Sequence, residues 1–135
     1  MTPESERKTI LVIDDMSVMV KILKKRLEHW GYRALAADNG EDGLALAHTE
    51  QPDLILLDIL MPKMKGREVC ARLKGSPKTR DIPVIFLSGL GLADHVRIGM
   101  ELGAEDYIIK PFKPADLRER MMICLLRHQR HTMKA

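Results

Sequence analysis

The sequence predicts an α/β domain in which a parallel sheet carries helices on both faces. Three observations carry that reading. Five short apolar runs, at 9–13, 32–36, 54–57, 82–87 and 107–109, alternate with five stretches whose apolar residues recur at helical spacing. The run Leu54-Ile55-Leu56-Leu57 lacks polar alternation and reads as a strand buried on both faces, the habit of parallel sheets. Polar residues then close four of the runs: Asp14 and Asp15, Asp58, Ser88 and Lys110. Right-handed crossovers put all strand exits on one edge, where open α/β sheets bind ligands.

The frame is one domain, since 135 residues suffice for one core and not for two. Apolar residues at 45% and charged residues at 30% are ordinary for a soluble globular chain. A net charge of +3, scattered along the sequence, gives no nucleic-acid patch. Cys70 and Cys124 stand alone, without metal-site or disulfide spacing, which fits reduced thiols in the cytoplasm. No secretory segment and no apolar run near membrane length is found, so no membrane partner is expected.

Taken in order, residues 1–8 are polar, hold Pro3 and read as a flexible start. Strand one, β-branched and apolar over 9–13, ends in Asp14-Asp15. A helix from Ser17 to about Trp30 turns Met19, Ile22, Leu23, Leu27 and Trp30 inward and stops at Gly31. A weaker strand over 32–36 leads to Asp38-Asn39-Gly40, a turn that can cap the helix at about 41–49. Gln51-Pro52 breaks that helix before the central strand. After Asp58 and a loop, a helix over about 66–73 places Val69, Cys70 and Leu73 inward and ends at Gly75-Ser76-Pro77. The fourth run tolerates Pro83 only at its beginning and exits at Ser88. A helix over about 93–102 ends at Gly103, and the fifth run exits at Lys110. Pro114 suits the first turn of the last helix, and Arg127, His128 and Arg130 suit its end. Residues 128–135 read as a basic tail or the start of a linker.

The chemistry of the exits is specific. Three crowded carboxylates repel one another and raise their own pKa values unless a cation sits among them. Oxygen donors of this kind suit Mg²⁺, which keeps waters for a substrate's phosphate oxygens. Lys110 and the Ser88 hydroxyl supply a positive charge and a hydrogen bond to a bound anion. A carboxylate can attack phosphorus to give an aspartyl phosphate. Phosphoryl transfer onto an aspartate fits this set.

Over about residues 8–127 the chain resembles the receiver domains of two-component response regulators. The residues that carry the likeness are Asp14-Asp15, Asp58 with Met61-Pro62 behind it, Ser88-Gly89 and Lys110-Pro111-Phe112. The resemblance implies the flavodoxin-like strand order 2-1-3-4-5, for which a receiver is itself a stock example. It implies Asp58 as phosphoacceptor, with Mg²⁺ held by Asp14, Asp15, Asp58 and the backbone carbonyl of Leu60. It implies that Ser88, Gly89 and Lys110 meet the phosphoryl group, that Ser88 and Tyr107 act as a switch, and that Lys110-Pro111 is cis. The donor would be a histidine kinase or a histidine phosphotransfer protein. The product is a signalling switch in a phosphorelay rather than an enzyme that turns over a substrate.

Further expectations concern this chain alone. Leu60 and Leu90, two residues after Asp58 and Ser88, are apolar where some receivers carry groups that position water, so slow loss of the phosphoryl group is expected. Met121-Met122-Ile123-Cys124-Leu125-Leu126 is apolar on every side. With Leu117, Met121, Cys124 and Leu125 facing the sheet, Met122 and Leu126 are left over, and a homodimer through the last helices is a candidate, against the alternative that they tuck under adjoining helices. The five histidines lie away from the exits and are expected to have no metal or phosphotransfer role. Two other functions remain in view. A phosphatase of the haloacid dehalogenase type wants Asp-x-Asp after strand one, whereas here the pair is adjacent; a receiver-like binding module would not need the full acidic set.

Overall fold

The computed structural model describes residues 7–61, 63–89 and 93–134, with side chains described up to residue 128 apart from Asp94. Most of the expected flexible start, together with Pro62 and Leu90, lies outside the described residues, as do the tail's side chains after His128. Strands β1 (Thr9–Ile13), β2 (Arg33–Ala37), β3 (Leu54–Asp58), β4 (Val84–Ser88) and β5 (Asp106–Ile109) alternate with helices α1 (Ser17–His29), α2 (Gly40–Glu50), α3 (Gly66–Lys74), α4 (Ala93–Glu101) and α5 (Pro114–Lys134). All strand neighbours are parallel, in the order β2-β1-β3-β4-β5. That is the implied flavodoxin-like order.

The period of two along each strand divides the core into two layers. Leu11, Ile13, Ile55, Leu57, Val84, Phe86 and Tyr107 face one way, onto Ala47 of α2 and Val69, Cys70 and Leu73 of α3. Ile10, Val12, Leu54, Leu56, Ile85, Leu87 and Ile108 face the other, onto Leu23 and Leu27 of α1 and Leu117, Met121, Cys124 and Leu125 of α5. Helices therefore cover both faces, and strands β1, β3 and β4 are buried throughout.

Local chemistry explains most boundaries. Asn39 caps α2 by accepting from the Asp42 N–H at 2.8 Å, and Glu41 and Asp42 sit in the first turn where the dipole favours them. Gly31 and Gly103, at φ 94° and 98°, make the left-handed turns that follow α1 and α4. Pro83 precedes β4 and lends only its carbonyl, which accepts from the Ile55 N–H at 3.0 Å.

The connection from α3 to β4 is tied from within. Buried Thr79 donates its hydroxyl to the Leu73 carbonyl at 2.7 Å, and Lys74 Nζ donates to the carbonyls of Arg80 and Ile82 at 3.1 and 2.9 Å. Replacing Thr79 with valine keeps the shape and deprives that carbonyl of its donor. Denaturant unfolding of Thr79→Val should show a loss of about 1–2 kcal/mol.

Several boundaries and faces differ from the sequence reading, among them the start of β4, at Val84 rather than Ile82. Ile22, expected inward, is 51% exposed, while Leu23 and Leu27 supply the buried contacts of α1. The buried stripe is narrower than the apolar pattern. Strand β2 begins at Arg33 rather than Tyr32, and its alanines pair in register with β1. Helix α5 does not stop near Arg127, His128 and Arg130; it continues to Lys134, since nothing from 128 to 134 is glycine or proline. No helix among the described residues is long and apolar enough to cross a membrane.

Candidate functional site

Asp14 is fixed by the sheet before it does any chemistry. Its N–H donates to the Ala37 carbonyl at 3.1 Å, extending the β1–β2 ladder one step past β1. The carboxylate, buried at the sheet edge, accepts from the Met16 N–H at 2.9 Å through Oδ1 and from Lys110 Nζ at 3.1 Å through Oδ2. Asp58 ends β3 beside it, with Oδ1 3.4 Å from the Leu60 N–H and 3.9 Å from Lys110 Nζ. One carboxylate oxygen from each of Asp14, Asp15 and Asp58 lies within 4.8 Å of the others. Lys110 reaches this group because its N–H donates to the Ser88 carbonyl at 2.7 Å, which carries the β4–β5 pairing to the same edge. The Lys110-Pro111 peptide is cis, as the resemblance implied.

The electrostatics of the cluster are unequal. Burial pushes the Asp58 carboxyl up to about 6, the neighbouring Lys110 ammonium pulls it back, and the charges of Asp14 and Asp15 push it up again. Burial, reinforced by the neighbouring acids, therefore outweighs the one lysine at this edge. Three carboxylates with oxygen donors only, one of them held far above its ordinary value, are the donor set that a hard divalent cation fits.

Ser88 is fully buried at the end of β4, whose Leu87 pairs with Asp58 across the ladder. Gly89 follows, exposed, with nothing among the described residues within 4 Å of where a Cβ would stand. The Leu60 side chain is 54% exposed beside Asp58. Tyr107 is buried on the opposite side of β5 from Ile108, its ring centroid 6.0 Å from that of Phe86. Gly99 of α4 makes room for both rings, since a Cβ there would stand 3.1 Å from each. The ring thus occupies an inward position under α4.

The sequence reading passed over one residue that the site depends on. Gly66, the first residue of α3, lies against the backbone of Asp58 and Ile59; a Cβ there would collide with the Asp58 carbonyl and stand 2.7 Å from Ile59 Cα. Its N–H donates to the Ile59 carbonyl at 2.9 Å. A glycine opening a helix directly after a ligand-edge loop was the available signal. Elsewhere, Met122, Ile123 and Leu126 of α5 are exposed and line a groove with Arg26 of α1 and Trp30 just past its end. Arg118 lies over the Trp30 ring at 5.7 Å, partly covering that groove.

Comparison with known proteins bears on all of this. Residues 10–122 match the family model described as the response regulator receiver domain. The chain is 43% identical over 122 residues to a probable transcriptional regulator, ycf27, of Guillardia theta, covering 90% of this chain and 46% of that protein. It is 39% identical to the alkaline phosphatase synthesis transcriptional regulatory protein PhoP of Bacillus subtilis, covering 90% and 50%. The chain spans about half the length of the curated relatives it matches. Among solved structures, a CheY-like receiver domain from Methanospirillum hungatei superposes with a TM-score of 0.87 at 28% identity, over 93% of this chain and 99% of that one. The receiver domain of a sensor histidine kinase from Pseudomonas aeruginosa, described with a magnesium ion coordinated in its active-site cleft, gives 0.82 at 25% identity, over 88% and 98%.

Proposed function

The chain belongs to the response regulator receiver domains of two-component signalling, and from that premise we propose that Asp58 accepts a phosphoryl group from the phosphohistidine of a histidine kinase or histidine phosphotransfer protein. An Asp58 carboxylate oxygen forms the new O–P bond while the donor's P–N bond breaks, its electron pair remaining on the imidazole nitrogen. The observation that carries this reading is the convergence of Asp14, Asp15 and Asp58 within 4.8 Å, with Lys110 Nζ 3.1 Å from Asp14 and 3.9 Å from Asp58. Asp14, Asp15, Asp58 and the Leu60 backbone carbonyl would hold Mg²⁺, which supplies the positive charge that crowded acids and transferring oxygens require. Lys110 provides a fixed second cation. The Ser88 hydroxyl and the Gly89 N–H serve as donors to the phosphoryl oxygens.

The new charge favours whichever conformer offers it more hydrogen bonds. Ser88 and the inward Tyr107 are the two residues that this reading moves. The relatives named as transcriptional regulators support a transcriptional output exerted by a further domain or partner, with the receiver acting in the cytoplasm. A second copy of the chain on the Trp30, Met122, Ile123 and Leu126 face is the oligomer this reading carries; sedimentation with and without a phosphoryl mimic measures it.

The test is intact mass after incubation with a small phosphodonor and Mg²⁺, repeated with Asp58→Ala. One added phosphoryl group that needs both the metal and Asp58 is the expected result. Labelling that survives Asp58→Ala but not Asp14→Ala would overturn it in favour of the phosphatase reading. Because Leu60 brings no polar group beside Asp58, Leu60→Asn should shorten the half-life of the phosphorylated form several-fold, read by the decay of the added mass.

A further inference from the structure

A second group of donors stands at the other edge of the sheet. Glu105 immediately precedes β5 and is anchored there by its N–H, which donates to the Val84 carbonyl at 2.8 Å. Cys124 and His128 lie one turn apart on α5 and so share a face. A thiol, an imidazole nitrogen and a carboxylate oxygen from these three all lie within 4.8 Å of one another. His128 Nε2 is 2.9 Å from Glu105 Oε1, and Arg127 Nη1 is 3.2 Å from the other carboxylate oxygen. Cys124 is buried beneath this pair, while the side chains of His128 and Glu105 are 28% and 24% exposed.

The donor types separate this cluster from the acidic one. Carboxylates alone suit Mg²⁺; sulfur, nitrogen and oxygen together suit the zinc class of ions. Bond lengths of about 2.0–2.3 Å place tetrahedral donors roughly 3.3–3.7 Å apart. The histidine and carboxylate, now 2.9 Å apart, need open by less than about 1 Å to reach that spacing, and the thiol already stands within 4.8 Å of both. Arg127 holds Oε2 and leaves Oε1 for a ligand, the orienting role that outer groups play at metal sites. Spacing between cysteines and nearness of histidines to the strand exits both leave this group out. A mixed site whose third donor lies 19 residues before Cys124 is invisible to both rules.

We propose that Glu105, Cys124 and His128 form a three-donor site for a divalent transition ion of the zinc class, with its fourth position open to solvent or a partner's ligand. The ion would pin α5 to the start of β5, at the sheet edge remote from Asp58. This proposal does not depend on the phosphoryl chemistry, because the sites share no residue.

The test titrates the whole chain with Co²⁺ in excess Mg²⁺ and follows the thiolate-to-cobalt charge-transfer absorption, which an all-carboxylate site cannot produce. One equivalent should generate the band, Zn²⁺ should abolish it by displacement, and Cys124→Ser should never show it. His128→Gln, altering a surface side chain, should weaken Co²⁺ binding by about 10-fold or more and stays informative should Cys124→Ser fold poorly. No band in the wild-type chain at saturating Co²⁺ would overturn the proposal. So would a band of unchanged affinity in His128→Gln, or one that persists in Cys124→Ser and therefore belongs to Cys70. In those cases the contact is an ion pair that ties helix to strand.

Discussion

Gly66→Ala should cost about 3 kcal/mol of stability and reduce phosphoryl uptake at Asp58 at the same time. The added methyl group has nowhere to go: it meets the Asp58 carbonyl and the Ile59 Cα, both backbone, so neither can swing aside as a side-chain end would. Either α3 backs away from the sheet and opens the core around Val69 and Leu73, or the end of β3 moves and takes Asp58 with it. Gly89→Ala is the matched control. Among the described residues no atom lies within 4 Å of its added Cβ and its φ is not positive, so its stability should stay within about 0.5 kcal/mol of wild type. Denaturant unfolding together with the phosphoryl mass assay separates the two. Equal stability of both variants would show that the contact between α3 and β3 is softer than the structure makes it.

Asp58→Asn should stabilise the metal-free protein by about 1–2 kcal/mol at pH 7.5 and by almost nothing at pH 4. The folded carboxyl titrates at about 6 against an ordinary value of 3.8, so the folded state holds its proton more tightly than the unfolded chain does. Below about pH 4 both states are protonated and the group contributes no difference. As pH rises through the window from about 4 to 6, the unfolded chain gives up its proton first and wild-type stability falls. Above 6 the whole penalty is present. A displacement of that size corresponds to roughly 3 kcal/mol at most, and the open side of the cluster reduces it by solvent screening. Saturating Mg²⁺ should narrow the gap between the two proteins by stabilising only the wild type. Urea midpoints against pH, with and without the metal, provide the measurement. A gap that does not shrink below pH 5 would assign the effect to packing.

The strand exits were legible because a parallel sheet forces a simple rule on the sequence: apolar run, then the residue that matters. Asp14, Asp58, Ser88 and Lys110 could each be found by that rule alone. Strand order could not be, since nothing in five similar apolar runs says which neighbours which; it came through the family. The outward turn of Ile22 was illegible because Ile22 and Leu23 both fit helical spacing, and only the position of the sheet selects between them. Gly66 escaped for a different reason. A glycine chosen to leave space records how closely the loop after β3 folds back on the Asp58 and Ile59 backbone, which no apolar periodicity reports. The full length of α5 was hidden by its polar end, where no stop signal stands and no apolar stripe announces that the helix continues.

Lys110 Nζ and Asp14 Oδ2 are bonded across 96 residues of sequence. A chain emerging from the ribosome therefore exposes Asp14, Asp15 and Asp58 long before the lysine that shares their pocket exists. Without β5 seated against β4, Lys110 has no path to the acids, because its N–H is held by the Ser88 carbonyl at the end of β4. No partial product can hold them as the finished domain does. The pocket lined by Asp14, Asp58 and Lys110 is therefore complete only when β1, β3 and β5 are all in place, so it reports on the whole sheet rather than on any one segment of it.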